Sequence, residues 1–375
     1  MSSTQEAGLS VNQIVALTTE QVAAMSTTQI VNLSTAQVKK LTTSQIAGMS
    51  TLQVASLEST DVAVLSAQQV GSLSAAQVTA LTITQVGGLT SAQLKALTLD
   101  QVAGLESTDI AALSTTQVKG LTSSQIAALT VGNQLGALTS GNLSALSNAQ
   151  MLGLTVEQVT ALTTTQVSGF SSAQIKNLSS AQVGGLTSAQ IAALTTAQLA
   201  GFEPKDLAVL TDGQLDGVTT SQMAALAVAQ LKALTSEQLA SLTVAQVSAL
   251  SAQQIAALTT KQEGGLSADM IRAFSSDQIG ALTAAQIKAL TDSQAAGLSG
   301  QVAYLKTAQV AALESTDLAA MGAVAVASLS SDQVKVLNKA QITEVYSSFV
   351  QSQVDAMSAA QKKIYQTAGG TLTIS

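Results

Sequence analysis

LSVNQIVA at residues 9–16 is followed by LTTEQVAA at residues 17–24 and MSTTQIVN at residues 25–32. All three follow one eight-residue phrase, L-[ST]-x-x-Q-[VIL]-x-x, which recurs about 42 times and is still legible in LNKAQITE at residues 337–344. One copy of so short a phrase cannot bury its own apolar residues, so neighbouring copies must stack. The repeat therefore predicts a stacked array over residues 9–344.

Each phrase predicts the start of a helix. Ser or Thr at position 2 is a preferred N-cap, and the Gln three residues later completes a capping box. The apolar residues at positions 1 and 6 match the hydrophobic staple that accompanies such a box. One continuous helix is excluded, because eight residues turn through about 800° and would rotate each Leu by roughly 80° from the last. A strand would place positions 1 and 6 on opposite faces. We therefore expect one helix of about six residues per phrase.

A longer period is visible in the glycines at position 8. Gly88, Gly104, Gly120 and Gly185 all end even-numbered phrases, counted from Leu9. Gly tolerates the left-handed conformation that ends many helices, so this alternation predicts two different corners. The expected fold is all-α: a solenoid of short capped helices with an eight-residue repeat, two helices (about 16 residues) per coil and a C-terminal capping helix.

The limits of the phrase predict four segments. These are an N-terminal tail at 1–8, the octapeptide-repeat solenoid at 9–344, a capping or junction helix at 345–366 and a flexible, β-prone tail at 367–375. The junction helix is predicted from apolar residues at helical spacing. We expect these residues to mediate assembly between subunits: Tyr346, Phe349, Val350, Val354, Met357 and Tyr365.

Composition argues against several classes of function. The chain has no His and no Cys, which removes the usual nucleophile–base pairs and the soft metal ligands. We therefore expect neither enzyme activity nor a cofactor. The net charge of -7 and the lack of a basic cluster argue against nucleic-acid binding. No stretch approaches the 18 or so consecutive apolar residues of a transmembrane helix, so membrane insertion is not expected.

Four acidic variants of the phrase are the best metal candidates. Each places Glu at the N-cap position and Asp at the Gln position, and carboxylates at this spacing could share a Ca²⁺ ion. The alternative is structural, because Asp at this position complements the helix dipole. We favour the alternative, since each site offers only two carboxylates. The pairs are Glu58 and Asp61, Glu106 and Asp109, Glu203 and Asp206, and Glu314 and Asp317.

The phrase resembles the octapeptide repeats of large, acidic, Cys-poor bacterial surface and secreted structural proteins. LTTAQLAG at residues 194–201 and LTAAQIKA at residues 282–289 carry this resemblance, which extends over almost the whole chain. It implies a structural role outside the cell or at the cell surface. MSSTQEAGLS at the N-terminus has no Sec-type signal features, which leaves a cytoplasmic location open.

Two functions remain as alternatives. The first is a rigid extracellular rod that acts as a filament subunit or surface stalk and assembles head-to-tail with itself. The second is a solenoid binding scaffold or adhesin for a peptide, glycan or surface. The small polar surface residues, with few Trp, Tyr or Arg anchors, favour the first. Ice or crystal-surface binding by rows of Thr is less favoured still, because most hydroxyls are expected to act as caps.

Overall fold

The computed structural model describes residues 9–372, which form helices and short connections without a strand. Of the predicted tails, residues 1–8 and 373–375 lie outside this range. The chain divides into two compact units, Met1–Leu186 and Thr187–Ser375. No helix among the described residues combines the length and apolar character needed to cross a membrane.

The first unit contains α-helices at Val11–Val15, Thr19–Ala23, Thr27–Val31, Thr35–Val38, Thr43–Gly48, Thr51–Ser56, Ser59–Val64, Ala67–Gly71, Ala75–Thr79, Ile83–Gly88, Ser91–Ala96, Leu99–Ala103, Ser107–Ala112, Thr115–Gly120, Ser123–Ala128, Ser140–Ser144, Asn148–Gly153, Val156–Ala161, Thr164–Ser168, Ser172–Lys176 and Ser180–Gly184, with one turn of π-helix at Val131–Leu135.

The second unit contains α-helices at Ser188–Ala193, Thr196–Leu199, Pro204–Ala208, Asp212–Leu215, Thr220–Ala225, Val228–Leu231, Ser236–Ser241, Val244–Ser248, Ala252–Ala257, Thr260–Glu263, Ala268–Arg272, Ser276–Ala281, Ala284–Lys288, Asp292–Gly297, Thr307–Ala312, Ser315–Met321, Ala323–Ala327, Ser331–Lys335, Lys339–Val345, Gln351–Ala356 and Ala359–Thr367, with 3-10 turns at Val302–Tyr304 and Tyr346–Ser348.

The helices begin as the capping box predicts. In the phrase that starts at Leu121, Thr122 Oγ1 accepts the backbone N–H of Gln125 at 3.1 Å, and Gln125 Oε1 accepts the N–H of Thr122 at 2.7 Å. Leu121 and Ile126, at positions 1 and 6, are both buried. The prediction of an all-α solenoid of short capped helices with an eight-residue repeat is confirmed.

The remaining amide group of the same Gln joins one coil to the next. Gln125 Nε2 donates to the backbone carbonyls of Leu94 at 2.9 Å and Leu97 at 2.7 Å. In the second unit Gln254 Nε2 likewise donates to the carbonyls of Met223 and Leu226, at 3.1 and 2.8 Å. We call this pair of bonds the amide clamp. Within each unit it recurs at most regular phrases, so successive coils of the same unit are fastened together by buried, directional contacts.

The predicted coil of two helices is wrong, because each helix packs on the helix three further along the chain. Ser91–Ala96 contacts Thr115–Gly120, and Ala252–Ala257 contacts Ser276–Ala281. The clamp agrees, since the phrase starting at Leu121 lies on the phrase starting at Leu97. A coil therefore contains three helices and 24 residues.

The position-8 glycines do not form left-handed corners. Gly104 and Gly185 have φ of -77° and -84°, and the positive-φ glycines of the described residues are Gly322 and Gly369. The glycines are instead required where two coils approach closely: a Cβ on Gly217 would lie 2.3 Å from the Ser188 carbonyl oxygen. Three phrases make a coil, so each phrase stacks on one of opposite parity. Position-8 glycines such as Gly217 therefore mark close contacts between coils.

Gly217→Ala is expected to lower the free energy of unfolding by about 1–3 kcal/mol, because the added methyl group has to displace backbone of the neighbouring coil. The control is Gly213→Ala, where a Cβ meets nothing within 4 Å. That change lies within a helix and should instead raise stability by about 0.5–1 kcal/mol. Urea denaturation followed by circular dichroism measures both. Equal effects of the two changes would contradict the close-approach explanation.

Two phrases of unusual length keep the clamp. The nine-residue phrase at 129–137 absorbs its extra residue in the π-turn, where the N–H of Leu135 bonds the Thr130 carbonyl at 3.0 Å. The seven-residue phrase at 298–304 forms a 3-10 turn, and Gln301 Nε2 still donates to the Phe274 carbonyl at 2.8 Å. Both changes in length are therefore absorbed locally.

The single C-terminal helix predicted at 345–366 is wrong. This segment forms the 3-10 turn and the two helices Gln351–Ala356 and Ala359–Thr367. The phrase in fact continues after an insertion at 345–348, as FVQSQVDA and MSAAQKKI. Gln353 and Gln361 both accept the N–H of their N-cap residue and clamp the preceding coil. The 3-10 turn packs against Ala323–Ala327 and so forms the third side of the last coil.

Candidate functional site

The four acidic phrases place their two carboxylates in different environments. Asp109 is buried, and its Oδ2 accepts the N–H of Glu106 at 3.0 Å, whereas the Glu106 side chain is exposed. Asp206 and Asp317 accept the N–H of their N-cap residue in the same way, at 2.9 and 2.7 Å. Asp61 is likewise buried. Asp109, Asp206 and Asp317 therefore take the capping half of the role that Gln has elsewhere.

These aspartates cannot form the amide clamp, because a carboxylate has no N–H to donate. Burial raises the pKa of Asp61, Asp109 and Asp317 above its ordinary value. Within residues 9–372 no group of three or more Asp or Glu side chains is arranged to hold a metal ion. Calcium binding at the predicted pairs stays a prediction, for which the described residues supply no third carboxylate.

Asp109→Gln is expected to raise the free energy of unfolding by about 1–2 kcal/mol, because the new amide can clamp the preceding coil and a buried carboxyl group is removed. In the register of the other phrases, a Gln at position 109 lies opposite the backbone carbonyls of Val78 and Leu81. Thermal unfolding with and without added Ca²⁺ provides the measurement. A loss of stability in Asp109→Gln, together with Ca²⁺ stabilisation of the unmodified chain alone, would favour the metal role.

The main departure from the core pattern is a buried acid. Glu263 occupies position 6 of LTTKQEGG, where the phrase has Val, Ile or Leu. Its side chain is 2% exposed, and neither Oε1 nor Oε2 has a hydrogen-bond partner. Burial raises the pKa of Glu263 to about 7. A carboxyl group in this position is therefore poised to change its charge near neutral pH.

A second departure lies in the next phrase. Met270 replaces Gln at position 5 and is buried, with the N–H of Ser267 directed to its Sδ at 3.4 Å. Because a thioether has no N–H, the clamp is missing here. In the register of the other phrases, a Gln at this position would donate to the backbone carbonyls of Leu239 and Leu242.

Further departures follow within the same unit. Ala295 fills position 6 beside Gln294, whose Nε2 clamps the backbone carbonyl of Glu263 at 2.9 Å. Gln301 has a buried Oε1 without a partner. Glu263 and Met270 were not among the predicted site residues, although LTTKQEGG and LSADMIRA depart from the phrase at positions 6 and 5 respectively.

The predicted assembly residues divide by burial. Val354, Met357 and Tyr365 lie in the core of the last coil, and the rings of Phe349 and Tyr365 meet edge-on with centroids 6.3 Å apart. Val350 is exposed, and Tyr346 and Phe349 are half-buried. An assembly role for this set stays a prediction, and these last three residues retain surface for it.

A groove lies between the helices Lys339–Val345 and Ala359–Thr367. It has a volume of about 470 Å³ and combines an apolar floor with two lysines. The lining residues are Lys339, Thr343, Ala360, Lys363, Ile364, Thr367 and Ala368.

A family model for a short repeat matches most of the chain. The ALTTAQ repeat matches residues 7–35, 19–51, 27–59, 54–91, 102–140, 164–196, 223–260, 264–300 and 310–345, which together cover well over half of the chain. No curated protein matches this chain. The chain belongs to the ALTTAQ repeat family.

Proposed function

We propose that this chain is a non-enzymatic structural protein, a stiff scaffold that acts as a filament subunit or as a surface stalk outside the cell. The amide clamp is the observation that carries the proposal. In the phrase that starts at Leu121, positions 1, 2, 5 and 6 are all used for capping, core packing or clamping. Repetition of this arrangement leaves few positions for chemistry and favours resistance to bending.

The exposed surface supports a passive role. Large exposed apolar side chains are scattered, with Leu52, Val324 and Tyr304 among the most accessible. Positions 3, 4, 7 and 8 are mostly small or polar, and charged residues make up 10% of the chain. Such a surface offers few of the aromatic and Arg anchors that dominate binding energy.

The edges of the first and last described coils favour head-to-tail assembly. Gln13 and Gln21 are exposed, and no earlier coil of the described residues lies beneath their side-chain amides. In a head-to-tail contact we expect these amides to clamp backbone carbonyls in the last coil of a neighbouring copy. Charge is also complementary: the first coil carries Glu20 and no basic residue precedes Lys39, whereas the last helix carries Lys362 and Lys363. A contact between unlike surfaces is heterologous, and where it does not close into a ring it propagates into a fibre.

Electron microscopy of the purified chain across a concentration series tests this proposal. Uniform fibres that lengthen with concentration are expected. Gln21→Glu should abolish the fibres, because its carboxylate would face backbone carbonyls of the neighbouring copy. The variant keeps an oxygen that accepts the Thr18 N–H, so the helix cap is retained. The control is Gln68→Glu, which adds the same charge at an exposed position away from the edge. Monomers at all concentrations, or equal effects of both variants, would reject head-to-tail assembly.

A binding scaffold is the second candidate, and the C-terminal groove favours it. Lys339 and Lys363 beside an apolar floor suit an acidic, partly apolar peptide. Fluorescence anisotropy with such a peptide should give saturable binding that Lys363→Glu weakens at least tenfold. Binding that Lys363→Glu leaves unchanged would exclude the groove.

The location is tested separately. Protease treatment of intact cells that produce the chain should degrade it if it lies at the surface, and should spare it if it is cytoplasmic.

A further inference from the structure

Two departures from the repeat act on one helix, Ser236–Ser241. This helix packs against Thr260–Glu263, whose last residue places an unpaired carboxyl group in the core. The same helix contains Leu239. A Gln at position 270 would clamp the Leu239 carbonyl, but the chain has Met270 there, which has no N–H to donate. The unpaired acid therefore lies at the contact between these two helices, and the missing clamp lies in the next phrase, which would fasten to the same helix Ser236–Ser241.

We infer that this contact is a pH-sensitive latch, closed while the Glu263 carboxyl group is protonated and opened when it ionises. A carboxylate without a partner is costly to keep in an apolar interior. When the coil opens, water hydrates the carboxylate, but apolar contacts between the two helices are lost. Because the neighbouring phrase lacks its clamp, fewer hydrogen bonds oppose this opening.

The pH window follows from the direction of the pKa change. The pKa of Glu263 is about 7 in the closed coil, against an ordinary value of 4.5 in the hydrated form. Below the ordinary value both forms are protonated, and pH has no effect. Between the two values only the open form loses its proton, so the closed form becomes less stable as pH rises. Above about pH 7 the effect is complete.

The charged side chains on the surrounding helices do not offset this effect. Burial alone accounts for the change in the Glu263 pKa. Apart from Glu263, the charged side chains on the helix Thr260–Glu263 and on the helices around it are all exposed to solvent. They are Glu237, Lys261, Asp269, Arg272, Lys288 and Asp292.

Hydrogen–deuterium exchange of the full chain at about pH 5.5 and about pH 8, corrected for intrinsic exchange, tests the latch. Protection of amides in 236–241 and 260–266 should fall roughly 30-fold between these pH values, whereas helices of the first unit should change little. In E263Q the difference should disappear, because the side chain cannot ionise. E263V restores the residue type of the phrase and serves as a second non-titrating variant.

Glu237→Gln is the matched control, since Glu237 is an exposed acid on the helix that packs against the latch. It should keep the pH dependence of the unmodified chain. A pH dependence that persists in both E263Q and E263V, or a loss of protection spread evenly over the second unit, would overturn the inference.

Discussion

Gln125→Ala is expected to lower the free energy of unfolding by about 3–6 kcal/mol. The change removes three buried partners at once: the acceptor for the Thr122 N–H and the donor to the Leu94 and Leu97 carbonyls. Each buried polar group left without a partner costs about 1–3 kcal/mol. The void left by a buried side chain adds to this cost.

Two variants separate the cap from the clamp. Gln21→Ala removes a Gln that is exposed and accepts only the N–H of Thr18, so the expected loss is about 0.5–1 kcal/mol. Gln125→Glu keeps the cap acceptor but turns a carboxylate oxygen towards two carbonyl oxygens, and should be nearly as damaging as Gln125→Ala at neutral pH. Urea denaturation gives the free energies. A loss at Gln21→Ala as large as at Gln125→Ala would show that capping, and not clamping, dominates.

Glu263→Val is expected to raise the free energy of unfolding by about 3 kcal/mol at pH 8 and by much less near pH 5. The pKa of about 7 lies some 2.5 units above the ordinary 4.5, and each unit corresponds to about 1.4 kcal/mol. The folded-state pKa is the higher one, so the penalty is absent below pH 4.5, grows through the interval and is complete above pH 7. Urea denaturation at the two pH values measures it.

The reverse change provides the control. Val247 is fully buried at position 6 of a regular phrase in the same unit. Val247→Glu should introduce a penalty with the same dependence on pH. If Glu263→Val stabilises the chain equally at both pH values, the gain comes from apolar packing and not from removal of the charge.

Local structure was readable from single phrases. Thr122 and Gln125 predicted their capping box, because its atoms lie within four residues of each other. The partners of Gln125 Nε2 were not predictable in the same way, since Leu94 and Leu97 are about four phrases and three phrases earlier. The phrase predicts that neighbouring phrases stack, but it does not determine which phrase packs on which. The glycine alternation suggested adjacent pairs, whereas the contacts join phrases of opposite parity one coil apart.

Other misses had an available signal. Gln353 and Gln361 lie in recognisable phrases, yet the insertion at 345–348 and the aromatic residues around it suggested one amphipathic helix. Glu263 differs from the phrase at a core position, but its sequence neighbours Gly264 and Gly265 do not indicate that its carboxyl oxygens lack partners. Burial and hydrogen bonding depend on residues from other helices of the coil, which a position-by-position reading does not bring together.

The sequence by itself determined that this protein is a repeat of short capped helices with apolar residues at positions 1 and 6. It did so because capping and the hydrophobic staple involve contacts within a single phrase. Only the tertiary structure decided that three helices complete a coil, that Gln joins coils through its amide group, and that Gly217 is required by a neighbouring backbone. These features depend on the packing distance between phrases that are far apart in the chain, and no local preference encodes that distance.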